Sequence, residues 1–227
     1  MSAALRPIAR TLVGLLAFGA PCLAVVTGCA LPGRAPATSV ATYVLNGVPH
    51  DGALGATRVD DPPGPAAPTA ILKVATPTSA PAYASPRMAY IETPYRIDYF
   101  ADNQWADSPA RMLKALLTQY LGDTGLFRFV YADAGGIDEG LRLDSDIVEL
   151  AQAFSPDSSE VRLSIRFALV DVPHRTLLMN QTISITEPAA ARNPYAGVVA
   201  ANKAMQRALD ELTTLLKTTL PAPAPAG

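Results

Sequence analysis

Chemistry in a protein needs a nucleophile, a base or a set of metal ligands held together, and this 227-residue chain has few candidates. It has two cysteines, Cys22 and Cys29, both within the first 30 residues. Everything after residue 29 therefore lacks a thiol nucleophile, a disulfide or a thiolate metal site. The two histidines are His50, in a Gly/Pro-rich stretch, and His174, in a turn between two strand-like segments. Neither belongs to an HExxH pair, and both read as solvated loop residues. Asp144 and Asp146 alternate on one strand face, about 6.6 Å apart by strand rise. Two carboxylates could touch a cation, but a hard ion wants roughly six to eight oxygens. Gly135-Gly136 lacks the lysine and the following helix of a phosphate loop, and no serine sits in a GxSxG elbow. The expectation is therefore no catalytic residue and no metal. That leaves the cysteines to be explained by processing.

The surroundings of Cys29 supply such chemistry. Residues 1–10 hold Arg6 and Arg10 and no acid, and residues 11–26 are mostly apolar. A charged start followed by a short apolar run is the pattern of a secretory signal. Gly14, Gly19 and Pro21 interrupt the run, whereas a spanning helix needs about 20 apolar residues. It closes with Val26-Thr27-Gly28-Cys29, which resembles the bacterial lipobox. Small residues let the extended chain enter a lipoprotein signal peptidase, and the thiol is the nucleophile that thioether lipidation requires. Cys22 fits less well, because Pro21 stands where a small, flexible residue is needed. The expectation is cleavage between Gly28 and Cys29, with a diacylglycerol and an N-acyl chain on Cys29 and no other cofactor. More than one acyl chain is what stable membrane attachment takes. Ala30 follows the cysteine, not the Asp that resembles an inner-membrane retention signal. The expected location is the outer membrane, facing the periplasm.

The rest of the chain reads as one domain with extras at its ends. Residues 1–28 are the signal peptide, 29–42 a lipidated tether, 43–219 the domain and 220–227 a disordered Pro/Ala tail. Residues 46–69, rich in Gly, Pro, Asp and Ala, read as a flexible insert. Strands are expected at Tyr43–Leu45, Ala70–Ala75, Arg87–Glu92, Tyr95–Phe100 and Phe127–Tyr131. Longer ones follow at Leu141–Phe154, Val161–Val170 and Thr176–Thr186. Ser108 and Pro109 are good N-cap and first-turn residues for a helix with an apolar stripe from Met112 to Leu121, with Gly122 as its stop. A longer helix runs from about Pro194 to Thr219. Helices amid many strands indicate an α/β (α+β) single domain, a mixed and mostly antiparallel sheet packed by at least two helices. The net charge is -2 with no basic cluster, which speaks against a nucleic-acid partner.

Tyr90, Tyr95, Tyr99, Phe100 and Trp105 fall close together ahead of the first helix. Core and edge packing is one reading of them. The other is a partner-facing or lipid-facing surface made by Tyr95, Tyr99 and Trp105, since such rings favour places with one wet side.

Taken in order, these residues resemble the auxiliary lipoprotein component of ABC-type and MCE-type lipid transport systems, a PqiC-like family. The matching pieces are Tyr43-Val-Leu45, Leu72-Lys-Val-Ala-Thr-Pro77, Ala82-Tyr83, Arg87-Met-Ala-Tyr-Ile91 and Tyr99-Phe-Ala-Asp-Asn-Gln-Trp-Ala106 entering the first helix. The paired strands and the closing Ala/Leu helix complete the order. The chain departs from the family's pattern at Ala84-Ser85-Pro86. The resemblance implies a three-layer α/β domain with no catalytic residues. It also implies a periplasmic accessory subunit working with an MCE-domain protein and inner-membrane transport components, held on the membrane by its lipid and able to form a homo-oligomer. The alternative is a structural or assembly-factor envelope lipoprotein with no part in lipid transport.

Overall fold

The computed structural model describes residues 39–46, 70–132 and 140–220. Gly28, Cys29, His50, residues 47–69, Gly135-Gly136 and the tail after residue 220 lie outside the described residues. The domain is built on one nine-stranded sheet. Its strands are β1 (Ala41–Tyr43), β2 (Ile71–Val74), β3 (Thr78–Ser79), β4 (Arg87–Ile91), β5 (Asp98–Trp105), β6 (Phe129–Tyr131), β7 (Leu141–Phe154), β8 (Ser159–Asp171) and β9 (Thr176–Pro188). Two helices, α1 (Pro109–Asp123) and α2 (Pro194–Thr219), pack on it.

The organising element is β7. One of its edges carries β8 in a single antiparallel ladder from Leu141↔Asp171 to Phe154↔Ser159, and β9 continues the meander beyond β8. The other edge is tiled end to end by β2, β3 and β4, all parallel to β7. Beyond this row, β6 pairs with β2, β5 with β4, and β1 with β5. The long ladders are thus antiparallel and most of the short ones parallel, as expected of a mixed α+β sheet.

Alternation decides which face is dry. In β8, Val161, Leu163, Ile165, Phe167 and Leu169 are buried, while Arg162 and Arg166 between them are exposed. A bulge near Val148 shifts the register of β7 and keeps Leu150 and Gln152 on the side of Leu163 and Val161. Both helices lie on this apolar side. Helix α2 presents Val198, Ala201, Ala204, Met205, Ala208, Leu209, Leu212 and Leu216 to the core, a stripe at helical spacing. Its alanines let the helix axis approach β8 and β9 closely. Asn193 caps it, accepting a hydrogen bond from the Ala196 N–H at 2.9 Å. Helix α1 buries Leu113, Leu116, Leu117 and Leu121 over the tiled strands. Helices packed on a mixed sheet in one domain make this the α/β (α+β) fold expected. The other face carries Arg142, Asp144, Asp146, Arg162 and Arg166, charges that need water.

Some boundaries differ from expectation. The first strand is Ala41–Tyr43, not Tyr43–Leu45. The fifth begins at Asp98, and Tyr95 lies in the turn before it. Helix α1 passes Gly122 and ends at Asp123, and the chain takes its left-handed step at Gly125, where φ is 67°. Ser108 stands at the N-cap without a side-chain cap bond. Strand β3 and a single turn of 3-10 helix, Pro81–Tyr83, form where no element was expected.

Candidate functional site

Asp144 and Asp146 share a sheet face but are already engaged. Arg142 Nε lies 3.0 Å from Asp144 Oδ1. Asp146 is held at 2.7 Å by Arg166 through one oxygen and by the Thr78 hydroxyl through the other. Among the described residues no cluster of three or more His, Cys, Asp or Glu could hold a metal ion. His174 caps the β8–β9 turn: its N–H donates to Asp171 Oδ1 at 3.1 Å and its Nδ1 lies 2.9 Å from the same oxygen. These contacts, the backbone N–H first, hold the Asp171 carboxyl below its ordinary pKa. The pair serves the turn.

The three aromatics expected on one surface are not brought together. Trp105 is 4% exposed and packs between the sheet and α2. Tyr99 is partly buried: its hydroxyl donates to the Ala82 carbonyl at 3.0 Å, and the Arg87 guanidinium sits 3.7 Å over its ring. Tyr90, Phe100 and Phe154 form a separate aromatic cluster, with Tyr90 and Phe100 centroids 4.7 Å apart. Tyr95 alone is fully exposed, at 107% of its reference area.

Tyr95 is held at that tip by the backbone. The turn closes with the Arg96 N–H donating to the Thr93 carbonyl at 3.1 Å, and Tyr95 has φ 66°. Turns of this kind normally place Gly or Asn at such a position. A left-handed tyrosine there costs of order 1–3 kcal/mol, so the ring is presented to solvent at some expense in stability.

Beside this turn lies the start of α2. Arg192 reaches Glu92 at 3.8 Å, linking the end of β4 to the segment entering the helix. Three residues beyond each partner stand Tyr95 and Tyr195. Tyr195 is also exposed, and its ring lies 6.2 Å from that of Tyr43. The segment after β1 follows α2: the Asn46 N–H donates to Asn202 Oδ1 at 2.8 Å, and the Asn202 amide donates to the Val44 carbonyl at 3.1 Å. Followed backward from Tyr43, β1 runs toward the β4–β5 turn, because it is parallel to β5. Among the large exposed hydrophobic residues of the described chain, this end of the domain holds Tyr95, Ile97 and Tyr195, whereas Val44 follows Tyr43, the partner of Trp105, at the far end of β5 from the turn. Phe129, Val148 and Leu177 stand singly elsewhere.

Sequence reasoning found Tyr95 and missed the others. The signal for Tyr195 and Val199 was available: they are four residues apart on one side of α2 and do not belong to its buried stripe.

A small recess of about 10 Å³ lies between the sheet and α2, lined by Met88, Trp105, Leu150, Gln152, Gly197 and Ala201 among others. Gln152 is buried at its floor. Its amide donates to Ser159 Oγ at 2.9 Å and to the Asn193 carbonyl at 3.2 Å, while its Oε1 faces Gly197 without a hydrogen-bond partner. Among the described residues no helix is long and apolar enough to cross a membrane.

The fold recurs in solved structures. A protein of Xanthomonas campestris superposes with a TM-score of 0.59 at 21% identity, covering 69% of this chain and 90% of its own. An uncharacterized protein reaches the same TM-score at 14% identity, covering 79% of this chain and 98% of its own. The PelC dodecamer of Paraburkholderia phytofirmans matches with a TM-score of 0.40 at 15% identity, over 62% of this chain and 86% of its own, too distant to bear on assembly. No curated protein matches the sequence. The model of the ABC-type transport auxiliary lipoprotein component matches residues 53–214, well over half of the chain. The nine-stranded sheet with its two helices spans the matched residues, and that match shows that the chain belongs to the ABC-type transport auxiliary lipoprotein family.

Proposed function

We propose that the chain is exported, cut between Gly28 and Cys29, and held by a diacylglycerol and an N-acyl chain on Cys29 at the periplasmic face of the outer membrane. There it acts without catalysis as the accessory subunit of a lipid transport system. Its partners are an MCE-domain protein and the inner-membrane transport components, and copies of the chain form a homo-oligomer on the partner's tunnel. The observation that carries this reading is the family match over residues 53–214 in a chain whose Val26-Thr27-Gly28-Cys29 offers an acylation site. The closed core agrees with a role in docking. The recess beside Gln152 is about 10 Å³, room for a water molecule, where ligand sites measure roughly 300–1,000 Å³, so it suits no diacyl lipid. The engaged states of Asp144, Asp146 and His174 favour a non-catalytic role.

Mass spectrometry of the mature chain tests the anchor, and affinity capture of the acylated chain from solubilised envelopes tests the partner. The expected results are a chain beginning at a triacylated Cys29 and recovery of an MCE-domain protein. An unmodified Cys29 would overturn the anchor. Failure to recover an MCE-domain protein from cells that make one would overturn the transport role and favour an envelope assembly factor.

A further inference from the structure

The exposed apolar residues gathered at one end of the domain call for a covering, and the length of the tether indicates what covers them. Nine residues, 30–38, separate Cys29 from Ser39, where the described chain begins. Even fully extended, ten residue steps span at most about 36 Å. An acylated Cys29 therefore keeps the start of β1 within that distance of the bilayer. The neighbouring end of the domain, with Tyr95, Ile97 and Tyr195, is then the part held at high effective concentration against the lipid. Its chemistry suits a head-group layer. Tyrosine places an apolar ring and a polar hydroxyl across a wet boundary, and the ion pairs Arg96–Asp98 and Arg192–Glu92 flank the two exposed rings with polar groups. The left-handed backbone at Tyr95 adds an independent sign, since a conformation that is unfavourable for tyrosine keeps this ring at the tip of the turn.

We propose that this end docks on the surface of the bilayer that carries the acyl anchor, with Tyr95 and Tyr195 at the head-group level, and so fixes the orientation of the domain. The long axis of β7 then stands away from the membrane and presents the β8–β9 turn to partners. The proposal rests on acylation of Cys29. Leu177 provides the control. It pairs with Val170, which pairs with Arg142, eleven residues along β7 from the Ala153 partner of Ile91. At strand rise that is about 35 Å from the docking end.

The test uses the full-length acylated chain reconstituted in phosphatidylethanolamine/phosphatidylglycerol vesicles with brominated acyl chains. Tyr95→Trp, Tyr195→Trp and Leu177→Trp are compared with the unsubstituted chain, whose buried Trp105 is a constant background. The expected result is that the emission added at positions 95 and 195 shifts to the blue and is largely quenched, while that added at 177 is not. Equal quenching at all three positions would overturn the orientation. Unquenched emission at 95 and 195 from a chain that floats with the vesicles would overturn docking while leaving the anchor intact. A blue shift at these sites without quenching would assign the surface to a protein neighbour and also overturn the proposal. A chain that does not float with the vesicles would overturn the anchor, and docking with it.

Discussion

The two edges of β7 are solved in different ways. Along one, β8 runs antiparallel from end to end, and β9 repeats the arrangement. Along the other, β2, β3 and β4 follow one another in the same direction as β7, like one strand broken twice. The breaks have a sequence cause. Pro77, Pro81 and Pro86 cannot donate to a ladder, so pairing stops near each. Between the second and third pieces the chain has surplus length: nine residues separate Ser79 from Ala89, whereas three separate their partners Ile147 and Ala151. The surplus is taken up around the Pro81–Tyr83 turn, where Tyr83 is buried. Burial, then the charge of Glu149 and the nearby Tyr99, raises the Tyr83 phenol above its ordinary pKa. The lesson is that a long hairpin edge is specified by neighbours in sequence, while a tiled edge is specified by a strand distant in sequence.

If the hairpin side is the continuous part of the core, its central side chain should be the costliest to remove. Phe167 is fully buried in the middle of β8. Phe167→Ala should destabilise by about 3–5 kcal/mol, measured by urea unfolding. A loss of about 1 kcal/mol or less would show that the meander relaxes around the gap and is not the rigid half.

The contact of α2 with β7 should give the next largest effect. A methyl group on Gly197 would stand 2.2 Å from Gln152 Oε1 and 2.6 Å from its Cδ, far inside contact distance. The obstructing group is a buried amide with its own hydrogen bonds to Ser159 and Asn193, so it cannot simply swing away. Gly197→Ala should therefore cost about 1–3 kcal/mol, despite alanine's better helix propensity. Adding Gln152→Ala removes the obstruction, and the double mutant should show a coupling of about 0.5–3 kcal/mol. Strict additivity would mean that the helix yields and the amide does not.

This difference between the edges also explains what was legible. The bounds of β7 and α2 could be read directly, because alternation runs through the first seven residues of β7 and an apolar run carries it past its bulge to Phe154, while helical spacing runs the 26 residues of α2. Strand β3 could not be read: two residues between prolines carry no period, and they become a strand only against Asp146 and Ile147. Tyr95, Ile97 and Tyr99 do alternate, which suggested a strand, but Pro94 and the left-handed backbone at Tyr95 make a turn instead. Core packing and a surface ring were both open for Trp105, because nothing local shows that α2, almost a hundred residues later, covers it. Conversely, the exposed pair Tyr95 and Tyr195 depends on the end of β4 meeting the start of α2 through Glu92 and Arg192, a hundred residues apart, which no window of sequence contains.

The seam between the halves gives the smallest and most specific prediction. Helix α1 lies over β2, β3 and β6, and α2 over β8 and β9. The Tyr120 hydroxyl of α1 donates to Asp210 Oδ1 of α2, and the Gln206 amide donates to the same oxygen at 3.1 Å. Burial first, and then the hydrogen bond and charge of Asp210, push the Tyr120 phenol up to about 12. An unfolded tyrosine loses its proton near pH 10. Above that pH the unfolded chain releases a proton that the native chain still holds, so native stability falls. The contribution of Tyr120 is complete below pH 10 and is lost as pH rises through about 12. Tyr120→Phe should cost about 0.5–1.5 kcal/mol near pH 8, the net value of one hydrogen bond. The gap between wild type and variant should then narrow in alkaline solution, whereas a variant merely short of packing would keep a constant gap. Because lysines and other tyrosines titrate in the same range, the difference between the two unfolding curves is the quantity to follow. A gap independent of pH would mean that the two halves are joined by apolar contact alone.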